Sequence, residues 1–299
     1  MFRVARTLRR AMAALAIASS AIVAGAAAPG VPVLRVTAPN GQSSILIGTL
    51  HVAVDGLNQP APSIFAGARH YVVEHTGIPT LPDNHAPAPG ATREWAKSLT
   101  DAEINIYLER AKCGGWSEQF ARKLLAEPTP HEANALAYTI CPLPHSMSRD
   151  NYLATIAPFS LTRATEVLED ANWVESQRRM VPPSGDIPGL KWALAHDPKS
   201  VLEQTRDLLN AGNYDGIRAQ VLESMGTEDA AVAYTKHMVD ERNAAWLPRL
   251  GAILNDGDAV VVVGAMHFPG PTGLISLLRQ RGYVVQAISW PSAPVGTPR

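Results

Sequence analysis

The chain has 299 residues, 46% of them hydrophobic and 18% charged, with a formal net charge of −1. That length suits one large domain or two small ones with a substantial core, and the apolar content predicts that most of the chain folds. Beyond four arginines near the N-terminus, acidic residues outnumber basic ones and no basic stripe remains, which excludes nucleic acid as a natural partner.

In chain order, the first segment is "MFRVARTLRRAMAALAIASSAIVAGAAAPG". Arginines, an Ala-rich apolar run and small residues around Ala24 to Ala28 read as a secretory signal peptide over residues 1–28. The competing reading is a membrane anchor, but the run from Ala11 to about Ala24 is short for a span of roughly 20 residues. Residues 30–299 then form the folded domain. "VLRVTAPNGQSSILIGTLH" carries the hairpin signal Asn40–Gly41 between two strands, the second short and apolar enough to be buried on both faces. "APSIFAGARH" predicts a helix and "YVVEH" a buried strand. The Pro-rich stretch "GIPTLPDNHAPAPGA" predicts a surface loop.

From about residue 93 to residue 254 the apolar spacing turns helical. Thr100 and Glu103 form a capping box ahead of "TDAEINIYLERA". "LTRATEVLEDANWVESQRRM", "SVLEQTRDLLNAG", "YDGIRAQVLESM" and "DAAVAYTKHMVDERNAAWLPRLGAIL" each read as an amphipathic helix, with Pro-rich breaks at "EPTPHE", "CPLPH" and "VPPSGDIPG". The end of the chain returns to strand, helix, strand: "AVVVVG", "GLISLLRQRG", "YVVQAISW". Its two ends therefore match: strand, Gly-x-x-His, loop, helix, strand. The predicted fold class is α/β, a central sheet built from two such units with a large helical insertion forming a cap. The two cysteines, Cys113 and Cys141, pair as a disulfide in an exported protein; reduced thiols or a metal site are the alternatives, and their spacing resembles no zinc motif.

Chemistry is expected where the two units end. Glycine lets the chain turn sharply at the carboxyl end of a buried parallel strand, where loops line the ligand crevice of open α/β sheets. His51 follows Gly48 by three positions and His267 follows Gly264 by three. If the units sit side by side the imidazoles converge, and Glu74, closing "YVVE", adds a carboxylate. Two histidines and a glutamate suit a divalent metal that generates hydroxide near neutral pH. The bland reading is that both histidines are hydrogen-bonded loop residues and that Glu74 pairs with an arginine. His75 is an alternative ligand. His70, His85, His131, His145, His196 and His237 have no metal spacing. No Gly-x-Ser-x-Gly elbow, Walker loop, His-Glu-x-x-His or dinucleotide fingerprint occurs, which argues against those enzyme classes.

"ILIGTLH", "YVVEH", "VDERNAAWLPRL" and "VVVVGAMHFPGPTGLISLLRQRGY" together resemble the TraB/GumN family, which is related to the Tiki metalloproteases and has an erythromycin-esterase-like fold. The resemblance spans roughly residues 33–289 and is sharp at the two ends. It implies a metal-dependent hydrolase of peptide or ester bonds, using Mn, Co or Zn, which the signal peptide would make exported, periplasmic or secreted. It makes Gly48, His51, Glu74, Arg242, Asn243, Gly264, His267 and Gly270 the core set. In that set His51, Glu74 and His267 bind metal or move protons, Arg242 steadies an oxyanion, and Asn243 and the glycines Gly48, Gly264 and Gly270 shape the substrate site. The family's Gly-x-Asp and Leu-Glu-Ser/Thr steps find a counterpart in "SGDIPGLKWALAHDPKSVLEQT", which makes Asp186 and Glu203 further candidates. The alternative function is a non-enzymatic periplasmic protein that binds a peptide or small metabolite in the same cleft.

Overall fold

The computed structural model describes residues 30–77 and 93–293; the expected signal peptide, most of the Pro-rich stretch and His85 lie outside them. Six strands form one mixed sheet: β1 (Val31–Thr37), β2 (Ser43–Thr49), β3 (His70–Val73), β4 (Glu166–Val167), β5 (Ala259–Gly264) and β6 (Val284–Trp290), in the order β4-β3-β5-β2-β1-β6. Asn40 and Gly41 make the expected hairpin; Gly41 takes φ 87°, which a side chain would resist. β1 runs antiparallel to both β2 and β6, and all other pairings are parallel. Five strands therefore point the same way, and only β1 opposes them.

The two units interleave. β2 lies beside β5, with Gly48 opposite Val263 and Thr49 opposite Gly264. The first unit crosses over β5 to place β3 on its far side, while the second crosses β2 and β1 to place β6 at the edge. β2, β3 and β5 thus deliver Thr49, Val73 and Gly264 to one edge of the sheet. Every residue of β5 is buried, because both faces of this strand are covered. Val261 and Val263 pack with Trp246, Leu250 and Phe268 on one face; Val260 and Val262 pack with Tyr71, Tyr152 and Leu153 on the other. Part of the helical segment builds its own core around Tyr107, Ala111, Leu190 and Leu194, a cap beside the helices that cover the sheet.

Four local readings change. "APSIFAGARH" forms only a single 3-10 turn, Pro62–Phe65, because strand β3 begins at His70 and leaves no room for a longer helix. "LTRATEVLEDANWVESQRRM" is two helices, Phe159–Arg163 and Ala171–Met180, separated by strand β4, so the insertion also extends the sheet. "VPPSGDIPG" is not a break: Pro182 caps a helix, Pro183–Ala195, that contains Pro188. Proline at the first helical position, Pro183, costs little, since the missing N–H would lack an intrahelical partner there, whereas Pro188 lies inside the helix and removes one backbone hydrogen bond. The last long helix is continuous from Glu228 to Asp256, but Lys236–Asp240 is a π-turn. Such a turn shifts the phase of the residues that follow, and it often marks a functional site.

Candidate functional site

The expected residues meet at the carboxyl edge of β2, β3 and β5. Glu74 leaves β3 there and is buried. His51 Nε2 lies 3.8 Å and His267 Nε2 3.9 Å from Glu74 Oε1. The backbone N–H of Gly264 donates to the same oxygen at 2.5 Å. From the helix after the π-turn, Arg242 Nη2 donates to Glu74 Oε2 at 2.7 Å and Arg242 Nη1 to His267 Nε2 at 3.3 Å.

The glycines explain themselves by contact. A Cβ on Gly264 would sit 2.9 Å from His51 Nε2 and 3.2 Å from Glu74 Oε1. A Cβ on Gly48 would sit 3.0 Å from ring atoms of Tyr214 and of Phe268, the residue after His267. Each Gly-x-x-His motif thus makes room for groups around the other, so the pair interlocks. Gly270 takes φ 87° in the loop after His267, a left-handed conformation that suits glycine.

His267 is buried and its tautomer is fixed. Asn243 is fully buried, and its Nδ2 is held by the carbonyls of His267 and Thr272. Its Oδ1 therefore faces His267 Nδ1, at 2.7 Å, and accepts that proton. Nε2 is left as an acceptor, which matches the donation from Arg242. Burial, with the Arg242 charge nearby, pushes His267 down to about 3. Asn243 accordingly positions His267 and does not reach a substrate.

Glu74 is pulled both ways. Burial alone would raise it; a charge on either histidine, the Arg242 guanidinium and the Gly264 amide outweigh burial and hold it well below the usual carboxylate range. Arg242 is the hub. Nε donates to Glu169, Nη1 to the Met238 carbonyl and to His267, and Nη2 to Glu74 and to Glu169 Oε1. All five N–H groups are taken. In this arrangement Arg242 has no donor left for an oxyanion, so its role is to hold Glu74 and His267.

His51 differs from the others. Its side chain is 61% exposed, at the mouth of a cleft of about 500 Å³ that also meets Glu74, His75, Ser148, Asp150 and Asn151. Nδ1 lies 3.3 Å from Asp150 Oδ1. Desolvation by the cleft walls works against its charge, but the Asp150 hydrogen bond and the Glu74 and Asp150 carboxylates prevail and push His51 up to about 9. Its loop is clamped by the preceding residue of the cap: fully buried Arg149 donates to the Gly48 carbonyl and to the Asn58 carbonyl, each at 2.7 Å.

Among the described residues no group of three His, Cys, Asp or Glu side chains is arranged to hold a metal ion. The physical reason is local: Arg242 occupies His267 Nε2 and one Glu74 oxygen, and Gly264 occupies the other. His51, Glu74 and His267 converge, but as arranged they do not fit a divalent ion.

Other expectations fall away from the site. Glu203 is on the surface of the Pro198–Asn210 helix, 39% exposed and 3.8 Å from Arg206, because its helix faces the loop around Asp55. The Leu-Glu step that matters is Leu168–Glu169, directly after β4; sequence reading missed it because the segment scanned as plain helix. Asp186 is buried in the cap, where burial raises it to about 6. His237, expected to be unremarkable, is buried and its Nδ1 lies 3.0 Å from Glu241 Oε2. Asp150 and Arg149 left no signal beyond an N-capping serine, Ser148. The disulfide is present, Cys113 to Cys141 with Cα atoms 6.0 Å apart.

Comparison with curated proteins and with solved structures finds no match. The model of the TraB/PrgY/gumN family matches residues 165–287, a stretch that holds Glu169, Arg242, Asn243 and His267 but not His51 or Glu74. Over those residues, less than half of its length, the chain is similar to the TraB/PrgY/gumN family.

Proposed function

We propose that the chain is an exported hydrolase of peptide or ester bonds in which His51 moves the proton. The observation that supports this most is the Asp150–His51 pair at the cleft mouth. Hydrolysis needs a base for water. Glu74 accepts hydrogen bonds at both oxygens and is held strongly acidic, and both nitrogens of His267 are engaged. His51 Nε2 has Glu74 Oε1 at 3.8 Å, beyond hydrogen-bond reach, and so keeps an open valence toward the cleft.

In this reading water loses a proton to neutral His51 Nε2 as its oxygen adds to the carbonyl carbon. Asp150 holds the Nδ1 proton and balances the imidazolium that forms. His51 then returns the proton to the leaving nitrogen or oxygen as that bond breaks. Glu74, fixed by Arg242 and Gly264, gives the imidazolium a second counter-charge. No step is routed through a metal.

Export is proposed from the N-terminal sequence and is consistent with the disulfide, which persists in oxidising compartments. Among the described residues no helix is long and apolar enough to cross a membrane.

One observation favours the second reading, binding of a peptide or metabolite without turnover: the five donors of Arg242 are all spent inside the protein. A panel of p-nitrophenyl esters and fluorogenic peptides distinguishes the two. Turnover by the wild type that is lost in His51→Ala, with an unchanged circular dichroism spectrum, supports the hydrolase. Saturable binding without turnover supports the binder.

A further inference from the structure

The divalent-ion expectation and the geometry disagree, and the disagreement has a specific cause. We infer that Arg242 is the resident cation of this site, and that the chain binds no divalent metal at His51, Glu74 and His267 while Arg242 is in place. The inference concerns ion binding and does not depend on the hydrolase reading.

Three observations carry it. First, the guanidinium bridges two of the three expected ligands, touching Glu74 Oε2 at 2.7 Å and His267 Nε2 at 3.3 Å. The lone pair that an ion would need on His267 accepts an Arg242 hydrogen, and the Asn243 carbonyl at Nδ1 prevents the ring from offering a different one. Second, Arg242 is anchored from behind. Glu169 takes hydrogen bonds from Arg242 and from Trp246 Nε1, the latter at 2.8 Å, and the Met238 carbonyl takes another Arg242 proton. Swinging the guanidinium aside to admit an ion would strand Glu169 as a buried carboxylate without its cation, which is strongly unfavourable. Third, ligand bonds of about 2.0–2.1 Å would put neighbouring donors of a tetrahedral site roughly 3.4 Å apart. Glu74 Oε1 is 3.8 Å and 3.9 Å from the two imidazole nitrogens, and it already accepts the Gly264 amide.

The argument extends to charge. A divalent ion beside the guanidinium would add two positive charges next to one that cannot be deprotonated. Glu74 and Glu169 already share the Arg242 guanidinium, so neither is a free carboxylate facing the site.

The test is metal binding by the full chain, followed with cobalt(II) absorption and with metal analysis after dialysis against Mn, Co or Zn. Wild type is expected to give no d–d spectrum and to retain no more metal than His267→Ala. Arg242→Met, which removes the guanidinium at similar volume, is expected to bind cobalt at least about tenfold more tightly, with a spectrum that His267→Ala abolishes. Stoichiometric cobalt in the wild type, lost in His267→Ala, overturns the inference. If Arg242→Met does not fold, the comparison of wild type with His267→Ala decides alone.

Discussion

Arg242 Nη2 and Glu74 Oε2 lie 2.7 Å apart although their residues are separated by 168 positions in the chain. One comes from the long helix that follows the π-turn and the other from the end of a four-residue strand. Their contact fixes the sheet edge to that helix, and Glu169 completes the ion cluster from the other side. Removing one member of a buried pair leaves an uncompensated charge. Arg242→Gln should therefore cost about 3–5 kcal/mol in urea denaturation. Arg242→Lys should also be costly, because an ammonium cannot serve five acceptors in a plane. A loss within the range of ordinary surface substitutions would show that the cluster is not a structural joint.

Gly264 gives a sharper geometric prediction. Its absent Cβ leaves room for His51 and Glu74, at 2.9 Å and 3.2 Å from where that carbon would lie. In Gly264→Ala the exposed His51 ring can swing away, so overpacking should cost only about 1–3 kcal/mol. Turnover on any identified substrate should fall much further, since the displaced ring is the proposed base. An alanine variant with full turnover would mean that the His51 position is not critical.

A second histidine gives a stability signal. His70 Nδ1 lies 2.6 Å from Glu166 Oε1 and Nε2 2.8 Å from Asp256 Oδ2, tying β3 to β4 and to the end of the long helix before β5. Arg69, beside Asp256 and Asp258, and Arg249, beside Glu166, face the same group. Desolvation opposes the charge, but the two carboxylates win and raise His70 above its ordinary 6.5. A raised histidine stabilises fully below its unfolded value and loses that contribution as pH rises through its folded value. The difference in Tm between wild type and His70→Gln should therefore be largest below pH 6.5 and shrink on the alkaline side. A difference that grows with pH would contradict the bridge.

The disulfide links residues 28 positions apart in the cap. Chain-entropy arguments put its contribution at about 3–4 kcal/mol for a loop of this size. The double replacement Cys113→Ser with Cys141→Ser should lower the denaturation midpoint accordingly. The sheet-edge site, on separate elements, should keep its activity at temperatures where the variant is folded.

Much of this architecture is written locally. The all-apolar run of β5, the Asn40–Gly41 turn and the Thr100–Glu103 capping box each carry their own signal, and each forms as the residues dictate. The twin Gly-x-x-His motifs signalled the site for the same reason: a glycine at a strand exit has few structural uses. What was hidden depends on tertiary pairing. Glu166 and Val167 are a strand only because β3 offers an open edge, so their sequence scans as helix, and Glu169 was missed with them. Asp150 sits in the first turn of a short helix, where a carboxylate is ordinary. Nothing in its neighbours says that His51, about a hundred positions earlier, will lie against it. The divalent site was expected from ligand types, their matching positions at two strand exits and the family resemblance. The three residues do converge, but Arg242, read as an oxyanion donor, is turned inward onto Glu74 and His267.

The central claim is that His51 accepts the proton from water, and the dependence of turnover on pH tests it most directly. His51 is raised to about 9, so its neutral form is the minority at neutral pH. Turnover should climb by about tenfold per pH unit below that value and level off above it. Asp150→Asn, which removes one of the carboxylates that hold the proton, should move the midpoint toward lower pH, and His51→Ala should abolish the pH-dependent turnover. A rate that is flat across this range, or that falls as pH rises through about 9, would contradict the assignment of His51 as the base.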